Sequence, residues 1–400
     1  MWFDRLWPAR EAWAPKIMEI SLLGYFFLLP WEHTSLWKNL FLGSGMLVWG
    51  VERYLLKKDR FSDKRFLNKY VLLYIGAILL SVFFSRDLLI SLRALRGDLS
   101  KVVLVYVLAV RVYRDSAAVQ RLFYGLVASA VPITFYSFSG YLFDWSATVM
   151  AGGQVMGPFK YYNAFGHYLA YHFLVALAVF WREEDNRLKF LLGVVLFLQL
   201  ALILLSQSRT AIAAVVIGTV CFLLMMRRIQ TIFAYSLAAV LLFWGLNQQA
   251  FFSRLTTILD PETYTSGMGR KEIWKDTILW IQERPWVGHG YGVNLFSKTA
   301  QLNARPENWV HAHNLILELL FESGIIGLAA YLLLFSRAAA GSVRFRGNPT
   351  LYPILPSLFL LIFALGLTEP LFLSGNSGPF LWIFFALVTT VGSRYYGDGT

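Results

Sequence analysis

One cysteine, Cys221, stands in a chain of 400 residues, which excludes an intrachain disulfide and any cysteine zinc cluster. It falls inside an apolar run, where a packed thiol is the expected state. Charge is scarce as well. Asp, Glu, Lys and Arg make up 15% of the chain, against roughly a quarter in soluble domains. With 57% hydrophobic and 17% aromatic residues, this is not a soluble enzyme carrying an anchor. HExxH and Asp-x-Asp patterns are both missing, and with them the usual sequence marks of a zinc hydrolase or a divalent-ion nucleotide-sugar site. The apolar run after Met1–Lys16 lacks a small-residue cleavage site, so no cleavable signal peptide is expected. The net charge of +12 is spread over short loops rather than a basic stripe with interleaved aromatics, which argues against nucleic acid as a partner.

What the chain does have is apolar runs from end to end. They lie near Ile17–Leu29, Leu36–Val51, Tyr70–Phe84, Leu99–Tyr113, Leu122–Phe143, Asn163–Trp181, Leu188–Ser206, Thr210–Met226, Thr231–Asn247, His313–Phe335, Leu351–Thr368 and Gly378–Val391. Leu99–Tyr113 has the weakest pattern. The expected fold is an all-α polytopic membrane protein, one membrane domain over 1–400, with about twelve transmembrane helices. Placing both termini inside puts 22 of the 36 lysines and arginines in inner loops and 14 in outer ones. Seven of those 14 fall in a long loop, which the positive-inside rule discounts. Both termini are therefore expected to face the cytoplasm.

That topology gives one large outer loop, 248–312, between the ninth and tenth runs. A loop of such length is usually functional. Within it, Gly269 to Arg284 reads as a helix, preceded by Ser266 and Gly267 and stopped by Pro285. Ile273, Trp274, Thr277, Ile278 and Ile281 form its apolar stripe. Arg270 would sit in the first turn, where free amides and the helix dipole favour an anion. Arg209 follows Ser206-Gln207-Ser208 at the mouth of two apolar runs, where a charge is functional or snorkels to the interface.

His311-Ala312-His313-Asn314 closes the loop. His313 would begin the tenth run, and a helix N-terminus favours a neutral imidazole able to accept a proton. Asn314, Glu318 and Glu322 recur every four residues, sharing one helix face that carries an acidic line inward. Either glutamate could instead serve as a structural partner of an arginine. His311 and His313 share a face only in extended chain and diverge on a helix, so no metal is expected. Gly288-His289-Gly290-Tyr291-Gly292 reads as a tight turn more readily than as an anion nest. Lys160 and Asn163 could meet a sugar or phosphate, or their segment could be an interfacial belt built on Tyr161 and Tyr162. Arg86, Arg93 and Arg96 lie on an outer segment where they would attract anionic membrane lipids.

On these residues the chain resembles the O-antigen ligase and polymerase family of bacterial envelope proteins. The ligase signature is His, then Asn, Ser or Gln, nine residues, and Gly-x-x with Gly, Thr or Tyr. His313-Asn314, Leu315 to Ser323, and Gly324-Ile325-Ile326-Gly327 match it in full. Ser208-Arg209-Thr210-Ala211 resembles the family's arginine at an outer turn, and Gly269-Arg270 with Trp274 the one in its large loop. Gly157 to Leu169 is similar to a glycine and asparagine segment of the superfamily.

The resemblance implies a metal-independent inverting glycosyltransferase without cofactor, in the bacterial inner membrane, with a periplasmic active site and loop. The donor would be a glycan on undecaprenyl diphosphate and the acceptor a sugar hydroxyl of lipid A-core. His313 would be the base, and Arg209 and Arg270 would hold the diphosphate. Secondary candidates are His311, Asn314, Glu318, Lys160, Asn163, Arg93 and Arg96. A polymerase with a second lipid-linked glycan as acceptor is the nearest alternative. A transporter is more remote, because the charges of interest gather at one face rather than the midplane.

Overall fold

The structure is a computed structural model and describes residues 13–55, 67–150, 152–228, 265–306, 309–347, 351–370 and 377–396. Among the described residues it has no β-strand, and fourteen α-helices follow one another along the chain. They are α1 (Trp13–Leu28), α2 (Ser35–Gly50), α3 (Asn68–Phe83), α4 (Leu88–Ala94), α5 (Ser100–Val112), α6 (Ser116–Leu142) and α7 (Tyr162–Arg182). The second half adds α8 (Asn186–Leu205), α9 (Arg209–Met225), α10 (Thr265–Glu283), α11 (Val293–Leu302), α12 (Leu315–Val343), α13 (Ile354–Gly366) and α14 (Gly378–Tyr396). Each apolar run read from the sequence coincides with one of them, except Thr231–Asn247, which lies outside the described residues along with 248–264 of the outer loop. Four helices, α6, α7, α8 and α12, are long and apolar enough to cross a membrane. α3, α9, α13 and Gly378–Thr390 of α14 are shorter apolar helices.

Packing explains which runs are apolar all round. α7 touches α6, α8, α9 and α13 and is buried along most of its length. The weakest run became α5, which packs on α1 and α14 through Val102, Val105, Tyr106 and Ala109. Its charge, Arg111, is held by Glu52, with Nε 2.9 Å from Oε2. Likewise Arg121 of α6 donates to Glu19 of α1 at 3.0 Å. Buried charges need such partners, and these two pairs satisfy each other inside the bundle.

Two features position the site. First, α12 is broken at Gly324, whose φ of +62° belongs to the left-handed region. A Cβ there would lie 2.3 Å from the Trp286 carbonyl carbon. The loop after α10 fills the break. His289 and Gly290 amides donate to the Phe321 and Glu322 carbonyls at 2.8 and 3.1 Å, and Ile325 and Ile326 amides donate to Pro285 and Trp286 at 2.8 and 3.2 Å. A helix interrupted among apolar neighbours must regain its backbone hydrogen bonds from elsewhere, and the loop supplies them. Second, α10 and α11 pack on α12 around a small apolar core of Ile273, Trp280, Phe296, Ala300, Trp309 and Phe321.

This core changes the reading of the loop helix. α10 starts at Thr265, so Arg270 lies in its second turn, and the first-turn argument for an anion falls away. Ile278 is 46% exposed and off the docking face, whereas Trp280 is buried on it. The glycine-rich turn is a docking element. Gly292 N donates 3.1 Å to Glu322 Oε1, so the group that this amide meets is the protein's own buried side chain and not an external anion.

Candidate active site

Glu369 is the centre of the site. It follows α13, is 5% exposed at its side chain, and is shared by three basic groups. His313 Nδ1 lies 3.0 Å and Arg270 Nη2 3.1 Å from its Oε1, and His311 Nε2 stands 3.5 Å from its Oε2. The two imidazoles are 4.1 Å apart between centroids. Three elements distant in sequence converge here: the helix of the large loop, the turn before α12, and the end of α13.

Local chemistry sets the roles of the rings. His311 Nδ1 accepts the His313 backbone amide at 3.2 Å, so the neutral ring carries its proton on Nε2, toward Glu369. Burial lowers the His311 pKa from 6.5 to about 4, and the charges of His313 and Arg270 push the same way against Glu369. For Glu369, burial alone would raise the pKa. The His313 hydrogen bond outweighs it, the imidazoles of His313, His311 and His167 act in the same direction, and the carboxyl lies below its ordinary value. Glu369 is thus ionised and His311 neutral at pH 7. A carboxylate can only accept, so His313 donates Nδ1–H to Glu369, and Nε2 of that ring lies outside this bond.

The backbone supports this arrangement. His313 precedes the helix rather than opening it, with φ at +48°, a conformation that a side chain rarely adopts. Asn314 is the N-cap of α12: its Oδ1 accepts from Ile316 and Leu317 amides at 2.9 and 3.1 Å. Its Nδ2 donates 3.2 Å to the Leu367 carbonyl, tying the histidine turn to the end of α13. Glu318, fully buried, accepts from the Ala312 amide. Asn314 and Glu318 therefore shape the turn rather than line the cluster.

Arg209 is the first residue of α9, behind the N-cap Ser208. Ser208 Oγ donates 2.9 Å to Asn163 Oδ1, so Asn163 braces the arginine turn. The next residue, Thr210, bonds His167 at 2.9 Å, and the His167 ring is near enough to couple to Glu369. α9 also packs on α13, whose end carries Glu369. The arginine turn and the histidine cluster thus share one end of the bundle. Lys160, Arg93 and Arg96 are exposed, and the structure does not bring them into the cluster.

Sequence reasoning missed Glu369 as a site residue. A signal was present: a carboxylate directly after an apolar run, where a charge needs a reason. It also discounted His311 and His313 as a pair. In the turn they meet, and with Glu369 they offer ligand atoms within 4.8 Å of one another, a set able in principle to hold a metal ion. Against that, the Arg270 guanidinium occupies the same carboxylate oxygen as His313.

The O-antigen ligase family model matches residues 194–332, a segment that holds Arg209, Arg270, His311, His313 and the broken helix. Over that segment, about a third of the chain, the sequence is similar to the O-antigen ligase family. A protein of Pseudomonas aeruginosa named O-antigen ligase is 37% identical over 117 residues, 28% of this chain and 27% of that protein. A Rickettsia prowazekii protein, whose name carries the words polysaccharide ligase, is 30% identical over 175 residues, 40% of this chain and 41% of its own length. The matches thus span well under half of each curated relative. Glu369 lies beyond the O-antigen ligase segment, so its place in the cluster comes from geometry alone.

Proposed function

We propose that this protein is an O-antigen ligase that moves a glycan from undecaprenyl diphosphate to a sugar hydroxyl of lipid A-core. It would be a single inner-membrane domain of about twelve spans, with cytoplasmic termini, loop 248–312 in the periplasm, and the site at that face. The observation that carries the reading is the shared carboxylate: Glu369 joins the imidazole of His313 to the guanidinium of Arg270 within 3.1 Å. A base and an anion holder are thereby fixed side by side, as transfer from a diphosphate requires.

In the reaction the acceptor oxygen attacks the anomeric carbon from the face opposite the diphosphate, which inverts the configuration. The glycosidic oxygen leaves with its electron pair on undecaprenyl diphosphate, and the acceptor proton passes to Nε2 of His313. Glu369 stabilises the imidazolium through Nδ1. Arg270 exchanges its carboxylate for the incoming diphosphate and, with Arg209, stabilises the growing charge. Proton removal and charge stabilisation each contribute a factor of about a hundred or more. Arg270 already supplies the cation beside Glu369, which supports a reaction without a metal.

The test is a reconstitution of purified protein with the undecaprenyl-diphosphate glycan, lipid A-core and a chelator, with products resolved by mass. Glycan on lipid A-core is the expected product. Longer glycan still on undecaprenyl diphosphate would make the protein a polymerase, and loss of transfer on chelation would overturn the metal-independent mechanism. Retention of most of the rate by a folded His313→Ala variant would remove the base assignment, and His311 would be the next residue to replace.

A further inference from the structure

The Ala312 peptide lies between the two histidines, is fully buried, and is held at both ends. Its amide donates 2.6 Å to Glu318 Oε2, and its carbonyl accepts from Trp274 Nε1 at 2.9 Å. Trp274 stands four residues after Arg270, one turn along the same face of α10. The helix that carries the arginine is therefore bonded to the peptide that precedes His313. Glu318 sits in the first turn of α12 and is itself completely buried. Between these anchors His313 keeps its left-handed backbone, a conformation that persists only where its surroundings over-determine it.

We infer that Trp274 and Glu318 are positioning residues of the transfer reaction: they clamp the Ala312 peptide and so set the His313 ring against Glu369 and Arg270. The inference rests on the ligase reading above. Neither side chain is assigned contact with substrate. Their effect is to hold a base within the few tenths of an ångström in which it is competent, and misplacement by about 1 Å can cost a hundredfold in rate. What Glu318 supplies is an acceptor oxygen, and what Trp274 supplies is one N–H.

The experiment measures kcat and both KM values for full-length protein with undecaprenyl-diphosphate glycan and lipid A-core. Trp274→Phe keeps the packed ring and removes the donor; Glu318→Gln keeps an acceptor oxygen, and Glu318→Leu removes it. Trp274→Phe and Glu318→Leu are expected to lower kcat about tenfold or more, with both KM values within about threefold of the parent. Glu318→Gln is expected to stay within about threefold of the parent kcat. The inference is overturned if Trp274→Phe keeps the parent kcat, or if the loss appears in KM alone. It is also overturned if Glu318→Gln falls as far as Glu318→Leu. Should Glu318→Leu fail to fold, Trp274→Phe and Glu318→Gln decide. His313→Ala is run alongside. If it is active the base assignment fails, whereas an inactive His313→Ala beside an unimpaired Trp274→Phe removes the clamp alone.

Discussion

Replacing Glu369 by glutamine separates the two jobs that its carboxylate performs. The side chain is nearly isosteric and still offers one oxygen, so the end of α13 keeps its shape. What disappears is the negative charge that faces His313 at 3.0 Å and Arg270 at 3.1 Å from a side chain only 5% exposed. A hydrogen bond to a charged group contributes about 1.5–3 kcal/mol. During transfer the imidazole becomes an imidazolium, so that amount is lost from the transition state and not from donor binding. The expected result is a fall in kcat of about 10- to 100-fold. Donor affinity moves the other way or stays level, because Arg270 no longer has to leave an ionised partner before it meets the diphosphate. Initial rates at varied donor concentration, with lipid A-core saturating, read both quantities. A variant with parental kcat and a raised donor KM would refute the reasoning, since Glu369 would then be serving the donor rather than the base.

Four further outcomes follow from the same geometry. Arg270→Ala should weaken donor binding about 10- to 100-fold, read by titration with the undecaprenyl-diphosphate glycan, since it removes a charge-assisted donor. The pKa of His311 falls from 6.5 to about 4 on folding, so the unfolded chain binds the extra proton first. Its stabilising contribution is full above pH 6.5 and is lost as pH falls toward 4, up to about 3 kcal/mol. His311→Gln should flatten melting temperature against pH across that window. Glu369 is depressed instead of raised, so its contribution is present above the ordinary carboxylate pKa of about 4.3 and fades as pH drops through the folded value. The stability gap between the parent and Glu369→Gln should close in acid, again by melting temperature. Gly324→Ala forces a Cβ to within 2.3 Å of the Trp286 carbonyl carbon at a φ of +62°. It should destabilise the protein by about 2–4 kcal/mol, measured by thermal unfolding in detergent.

The apolar helices of the bundle were legible because each is a continuous apolar run ended by polar residues, whereas the short α4 and α11 carry no such run and were not read. Ser100–Val112 shows the limit of that signal, since Lys101 and Arg111 dilute the pattern of a helix that is central to the bundle. The start of the loop helix was misread for a related reason. Ser266 and Gly267 look like a boundary, yet the helix runs through them to Thr265 and docks on α12. His313, Arg209 and Arg270 stood out as polar residues at the edges of apolar runs. Glu369 did not, because its significance depends on a contact across 56 residues that no spacing rule reaches. The neighbouring histidines were judged on strand and helix periodicities, whereas they sit in a turn that follows neither.

The His-to-glycine signature combines two physical demands that operate on opposite sides of one helical segment. Its first two residues act at the surface: His313 offers the ring and Asn314 caps the helix while bonding the end of α13. Its glycines act about three turns or more deeper. Gly324 admits the loop backbone into the helix break, and at Gly327 a Cβ would collide with Ser323. That break fixes Pro285 to Gly290 against α12, and those residues directly follow the helix that carries Arg270. The fixed spacing between histidine and glycine is therefore the distance along one helix from His313 to the anchor of the loop that brings Arg270. Lengthening or shortening that segment by a single residue would rotate the anchor by about 100° relative to His313, and the imidazole and the guanidinium could no longer share Glu369.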